Sequence, residues 1–246
     1  PTIADNVVEW RVLAQKPADL MDFPSQLSPE LTDILASQGI ASLYTHQAMA
    51  YEKVNNGDNL AVVSGTASGK TYCYNLPVID SLLKHPEGKA LYLFPTKALA
   101  QDQLSGLRSL LHELNRLDIN KANIYDGDTP QNIRSLVRQE SSIILTNPDM
   151  LHTGILPHHT GWKDFLTALR FIVIDEMHAY RGVFGSHVAN VIRRLKRISL
   201  FYGSQPQFIL TSATISNPKQ LAERLIEKPV TVIDQDGSPH GERHFL

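Results

Sequence analysis

The chain has 246 residues, 42% hydrophobic and 20% charged, a balance that excludes disorder and fits a globular body with a sizeable core. Its formal net charge of −2 excludes a domain that holds a polyanion by overall basicity, so a nucleic acid would have to be gripped by local loops. Cys73 is the single cysteine, which excludes an intrachain disulfide and a cysteine-based zinc site, and no apolar run approaches the ~20 residues of a membrane span. With no basic-then-apolar leader at the N-terminus, the expected location is the cytoplasm, at a prokaryotic nucleoid, or the nucleus, and not outside the cell. The start at Pro1 and the turn-rich end suggest a piece of a longer protein.

In chain order, residues 1–27 carry Pro17, Pro24 and scattered apolar positions without a period, and read as an N-terminal extension packed on the body. Ser28-Pro29-Glu30 opens a helix with Ser as N-cap and Pro at the first helical position, and Gly39 closes it. A second helix runs from Thr45 to about Asn55. Apolar runs at 60–63, 90–94, 122–125, 142–146, 170–174, 207–211 and 230–233 then alternate with helical patterns at 70–84, 97–115, 130–139, 148–154, 185–202 and 217–227. Strands alternating with helices imply crossover connections, hence an α/β domain over 28–233 with a mostly parallel central sheet and helices on both faces. Residues 234–246 begin with the turn composition Asp-Gln-Asp-Gly-Ser-Pro-His-Gly, expected for a linker toward a further domain.

Two segments carry chemistry. Ser64-Gly65-Thr66-Ala67-Ser68-Gly69-Lys70-Thr71 lies between a strand and a helix and matches G-x-x-x-x-G-K-S/T except for Ser64 in place of the first Gly. Small residues let backbone N–H groups turn onto a phosphate at the positive end of the helix. Lys70 can then reach the β- and γ-phosphates, and the Thr71 hydroxyl can ligate Mg²⁺. Ser64 takes positive φ less cheaply than Gly. The second segment, Phe171-Ile-Val-Ile-Asp175-Glu176, is a buried strand ending in two acids at the sheet's carboxyl edge, where ligands of such sheets bind. Asp175 is expected to hold the metal and Glu176 to act on the attacking water.

Asp175-Glu-Met-His178 resembles the D-E-x-H box of superfamily 2 helicases, and further markers follow in that family's order. The resemblance implies a RecA-like P-loop NTPase domain that uses ATP and Mg²⁺. It also implies that Gln47 reads adenine, that His178 links hydrolysis to strand handling, and that Ser212-Ala213-Thr214 couples nucleotide state to the strand. Pro95-Thr96-Lys97, Gly127-Asp128-Thr129 and Thr146-Asn147-Pro148-Asp149 resemble the loops that contact the nucleic-acid backbone. Asp149 stands where many DEAD-box proteins have Arg, so phosphate contacts there would fall to Thr146 and backbone amides. Leu43-Tyr-Thr-His-Gln47 and Tyr180-Arg-Gly-Val-Phe-Gly-Ser-His-Val-Ala-Asn190 look most like the RecQ-related Hrq/MrfA branch of DNA-repair helicases. That branch implies three-prime-to-five-prime translocation on single-stranded DNA, a second RecA-like domain and a downstream zinc module. The partner domain's arginine-finger motif is absent from this sequence, so hydrolysis is expected to need that domain. The rival readings are an RNA-dependent DEAD-box ATPase and a nucleotide-gated binding module without unwinding.

Arg193, Arg194, Lys196 and Arg197 fall on one helical face opposite Val188, Val191, Ile192, Leu195 and Ile198, the pattern of a solvated face on a packed helix. His152, His158 and His159 read as loop polarity around Pro157 rather than a zinc site, because no carboxylate or Cys stands at ligand spacing.

Overall fold

The computed structural model describes residues 11–114 and 121–245, so residues 1–10 of the expected extension and the end of the helix expected at 97–115 lie outside the described residues. Side chains alternate along each strand, and in this chain both faces are apolar. In β4 (Leu60–Val63), Leu60 and Val62 enter one core while Ala61 and Val63 enter the other, and all four are buried. The same split holds for Ala90 and Tyr92 against Leu91 and Leu93 in β5 (Lys89–Leu93), and for Phe171 and Val173 against Ile172 and Ile174 in β8 (Leu169–Ile174). A strand buried on both faces belongs inside a parallel sheet covered by helices.

The sheet has seven strands in the order β10-β4-β9-β8-β5-β7-β6, completed by β6 (Ala122–Ile124), β7 (Ile143–Thr146), β9 (Gln207–Ser212) and β10 (Thr231–Ile233). All neighbouring pairs are parallel. One face carries α1 (Pro29–Ser37), α2 (Thr45–Asn55), α3 (Lys70–Lys84) and α4 (Lys97–Glu113). The other carries α5 (Arg134–Glu140), α6 (Pro148–Met150), α7 (Lys163–Thr167), α8 (Gly182–Phe201) and α9 (Pro218–Ile226). Because every strand points the same way, every loop that follows a strand opens on one edge.

Three local expectations are corrected. Ser28 sits at the N-cap of α1, yet its hydroxyl makes no capping bond. Its N–H and O–H both donate to Asp80 of α3, an acceptor whose charge makes a stronger bond than an exposed amide. The helix expected at 130–139 starts only at Arg134, because Asp126 and Thr129 close a turn that the Arg134 guanidinium ties to the carbonyls of Asp126 and Thr129. The helix expected at 148–154 is one α turn, followed by a π-helical turn over Leu151–Ile155 and a 3₁₀ segment over Leu156–Trp162, where Pro157 lacks the N–H that an α-helix requires. His152, His158 and His159 therefore lie on these turns rather than in an open loop.

Short antiparallel ladders flank the sheet. β2 (Leu20–Met21) pairs with β3 (Leu43–Tyr44), and β1 (Arg11–Leu13) pairs with β11 (Arg243–Phe245). Lys16 bridges His240, so the segment after β10 returns along residues 11–21 and lies against the body.

Candidate nucleotide and nucleic-acid site

The strand order decides which loops are neighbours. Read along the carboxyl edge, β4 delivers the phosphate loop, β9 delivers Ser212-Ala213-Thr214, and β8 delivers Asp175 and Glu176. Then β5 delivers Pro95-Thr96-Lys97, β7 Thr146-Asn147 and β6 the turn containing Gly127-Asp128. The residues expected to bind nucleotide thus occupy one half of the edge and those expected to touch a strand the other.

The phosphate loop is held by its own side chains. The buried hydroxyls of Ser64 and Ser68 share a hydrogen bond of 2.6 Å, and the Lys70 ammonium donates to the carbonyls of Ser64 (3.1 Å) and Gly65 (2.6 Å). The left-handed residues are Ala67 (φ 59°) and Gly69 (φ 76°). Backbone strain at this loop therefore falls on Ala67 and not on Ser64, the position that the motif comparison singled out. The Thr71 hydroxyl and the Tyr74 phenol both donate to Gln103 Oε1, and Tyr74 also feels the charge of Asp175, so the Thr and the Asp share one neighbourhood.

Asp175 is buried, with Oδ1 accepting from the Thr211 hydroxyl and from the Glu176 N–H at 2.9 Å. Burial pushes its carboxyl above the ordinary range, with Thr211 and the Lys70 charge pulling the other way. Glu176 adopts a left-handed backbone (φ 51°), a strained conformation of the kind that persists at functional sites. Its Oε2 lies 3.1 Å from His178 Nδ1. The same nitrogen accepts from the Ala213 N–H at 3.3 Å, with the Ser212 hydroxyl at 3.4 Å. Glu176 Oε2 is buried without a hydrogen-bond partner. Ser212 also reaches the phosphate loop, its carbonyl accepting from the Ser64 N–H. Thr214 is exposed and lines a 480 Å³ cavity with Gly65, Thr66, Asp234 and Asp236.

Two candidates are turned inward. Gln47, expected at adenine, is buried, with Oε1 accepting from the Tyr44 N–H and Nε2 donating to the Gly69 carbonyl, both at 3.0 Å. Its amide braces the phosphate loop. Thr146 is also buried, and its hydroxyl donates to the Tyr125 carbonyl at 2.6 Å, tying β7 to the end of β6. Its hydroxyl is committed to shaping this loop.

On the other half of the edge, the Thr96 hydroxyl accepts from Leu99 N–H and the Asn147 side chain from Met150 N–H, so both residues cap helices whose N-termini face the edge. The Lys97 ammonium donates to Asp128 at 2.6 Å, joining the first loop to the Gly127 turn, and Pro95 and Lys97 are at least partly exposed. The basic stretch of α8 lies on a solvated face and is bonded to the end of α9 at two of its four positions: exposed Arg193 pairs with Glu227 at 2.7 Å, and Lys196 donates to the Ile226 carbonyl. Sequence reasoning passed over His46, which is fully buried and contacts the Ser68 carbonyl. A buried His beside a phosphate loop was its only signal.

Comparison with known proteins follows the same lines. A family model described as DEAD/DEAH box helicase matches residues 44–221. The chain is 52% identical over 242 residues to the uncharacterized ATP-dependent helicase YprA of Bacillus subtilis, covering 98% of this chain and 32% of that protein. It is 43% identical over 224 residues to the ATP-dependent helicase HRQ1 of Saccharomyces cerevisiae, covering 90% of this chain and 20% of that protein. A crystal structure of the helicase MrfA bound to DNA and AMPPNP superposes with a TM-score of 0.95 at 53% identity, covering 98% of this chain and 34% of that one. The chain thus spans about a third or less of the length of these relatives. With the motifs in family order on one sheet edge, the chain belongs to the DEAD/DEAH box helicases, in the branch that contains Hrq1 and MrfA.

Proposed function

We propose that this chain is the ATP-binding motor domain of an ATP-dependent DNA helicase, the first of two RecA-like domains in a longer protein. The observation that carries the reading is that the phosphate loop with Lys70 and the acid pair Asp175-Glu176 leave the same sheet edge, at the ends of strands separated only by β9. Lys70 and the loop amides would hold the phosphates, and Glu176 would orient and deprotonate water. The donor set fits Mg²⁺: Thr71 and Asp175 supply hard oxygens, and among the described residues no group of three or more His, Cys, Asp or Glu forms an all-protein cage. Such an ion, when bound, neutralises charge on the phosphate oxygens.

Gln47 acts by bracing Gly69 in this reading, and Pro95, Thr96, Lys97, Gly127, Asp128 and Asn147 line the path of a single strand, contacting its backbone without reading sequence. DNA is favoured over RNA by the 53% identity to a helicase crystallised with DNA. Because the transition-state cation of such motors comes from the partner domain and is worth about 10³–10⁵ in rate, this chain alone should bind nucleotide and barely hydrolyse it. No described helix is long and apolar enough to cross a membrane.

The test measures binding of a fluorescent ATP analogue with Mg²⁺, and of single-stranded DNA and RNA, to the chain and to Lys70→Ala. Nucleotide binding lost in Lys70→Ala, with tighter binding to DNA than to RNA, is the expected result. Tighter binding to RNA, or strong DNA-stimulated hydrolysis by these 246 residues, would overturn the corresponding part.

A further inference from the structure

The segment that leaves β10 is bonded to the phosphate loop. Asp236 Oδ2 accepts from the Gly65 N–H at 2.9 Å, while Oδ1 accepts from Ser238 N–H at 2.9 Å and so fixes the carboxylate's direction. One residue on, the Gly237 N–H donates to His46 Nδ1 at 3.2 Å. A nitrogen that accepts cannot carry the proton, so the hydrogen of the neutral ring is on Nε2, which donates to the Ser68 carbonyl at 3.0 Å. Burial holds the His46 imidazole below its ordinary pKa, against the nearby Asp236 charge, in keeping with a neutral ring. Residues 65 and 68 of the loop are therefore each tied to the same short stretch of chain.

The stretch itself is laid down firmly. Asp19 N–H donates to the Gly237 carbonyl at 2.9 Å, and Thr45 N–H to the Asp19 carbonyl at 3.0 Å, so Gly237 packs against the start of α2. A Cβ at Gly237 would lie 2.3 Å from Thr45 Oγ1 and 2.9 Å from the Asp19 carbonyl oxygen, so only glycine lets the backbone come this close. Lys16 and His240 exchange two backbone hydrogen bonds of 2.9 Å, and the Lys16 ammonium reaches the Asp236 carbonyl.

We propose that His46 and the segment Asp234–His240 form a clamp that positions the phosphate loop, so that nucleotide affinity depends on where this segment lies. The proposal rests on the nucleotide reading above and assigns positioning roles to His46, Asp236 and Gly237. Moving the segment removes the acceptor from Gly65 N–H and, through His46, the donor from the Ser68 carbonyl, freeing two of the points that set the loop's curvature.

The test uses Gly237→Ala, His46→Phe and His46→Gln in the whole chain. Glutamine offers one amide donor and one acceptor and can replace both ring contacts, which phenylalanine cannot. Two quantities are read: amide hydrogen exchange over 64–70 without nucleotide, and affinity for a fluorescent ADP analogue with Mg²⁺. Gly237→Ala and His46→Phe should exchange faster over 64–70 and bind about tenfold more weakly, the loss of roughly one hydrogen bond. His46→Gln should return toward the parent in both, which a role in mere filling would not produce. Parent-like exchange and affinity in His46→Phe and Gly237→Ala would overturn the clamp, as would equal losses in His46→Gln. If the parent binds no nucleotide, the nucleotide reading falls, while the exchange rates still decide the clamp.

Discussion

Replacing Ala67 by glycine should stabilise the protein. Ala67 sits in the phosphate loop at φ 59°, where the Cβ of an L-residue crowds the backbone and costs about 1–2 kcal/mol. Glycine removes that cost but returns about 0.4–1 kcal/mol of conformational freedom to the unfolded chain, leaving a net gain of about 0.5–1 kcal/mol. For a domain of this size each kcal/mol moves the melting temperature by roughly 2–4 °C, so Ala67→Gly should melt about 1–4 °C higher. Thermal unfolding followed by circular dichroism without nucleotide reads the effect directly. An unchanged or lower melting temperature would show that Ala67 is not strained in solution and would refute the argument.

Gly69→Ala should act in the opposite direction, because φ is 76° and the new Cβ would meet Gln47 Nε2 at 2.5 Å; a loss exceeding about 1 kcal/mol and weaker nucleotide binding are expected from a melt and a titration. Asp175→Asn should raise the melting temperature at neutral pH while, under the proposed assignment, Mg²⁺-dependent nucleotide binding is weakened. The Asp175 carboxyl is raised above the ordinary 3.8, so the fold binds a proton that the unfolded chain has released, and stability falls as pH rises through the folded pKa. Melts of parent and variant against pH should therefore converge in acid and diverge toward neutrality, and parallel curves would contradict the burial argument. Asp80 accepts from Ser28 N–H at 2.9 Å and Tyr51 O–H at 2.6 Å, and pairs with Lys84 at 2.6 Å. Asp80→Ala should cost about 2–4 kcal/mol, mostly from the orphaned buried donors, since the Lys84 end is solvated. Burial would raise the Asp80 carboxyl, but its bonds to Lys84, Ser28 and Tyr51 win and hold it below the ordinary range. Its contribution should be complete above about pH 4 and fade as pH falls through the folded pKa, which an acid titration of parent and Asp80→Ala would reveal.

The seven sheet strands were legible because strands buried on both faces are short apolar runs, and the longer helices between them carry a 3.6-residue stripe. The residues at the strand ends were legible for a related reason: glycines, Lys70 and an acid pair interrupt apolar runs where no core position would hold them. The short strands β1, β2, β3 and β11 had no such signal, since two or three residues carry no period and β1 finds its partner at the far end of the chain. The direction of a side chain was equally hidden. Gln47 and Thr146 were recognised as types, but Gly69 and Tyr125, which take their hydrogen bonds, are 22 and 21 residues away. The partners of His46 and Asp236 are separated from them by up to 220 residues. The motif comparison drew attention to Ser64, whereas the backbone puts the left-handed turn three residues later, a property of φ that residue type alone does not reveal.

The edge of the sheet is also a chain of short bonds between successive motifs. The Ser64 N–H donates to the Ser212 carbonyl, the Ala213 N–H to His178, the Asp175 N–H to the Leu93 carbonyl, and the Phe94 N–H to the Thr146 carbonyl. The Thr146 hydroxyl then reaches Tyr125, one residue before the turn whose Asp128 accepts from Lys97. Three of these five links join backbone to backbone at strand ends, which are stiff and offer one arrangement, and the Thr146 link runs through a hydroxyl. The link at His178 also runs through a side chain: Nδ1 accepts from the Ala213 N–H, while Glu176 Oε2 lies 3.1 Å away without a hydrogen-bond partner. Under the proposed assignment, the His178 link lies between the half of the edge that holds nucleotide and the half that contacts a strand, which is reached through Asp175 and Leu93. The phosphate loop has its own connection to the same link through Ser212, and a second one, through His46, to the segment that leaves the sheet.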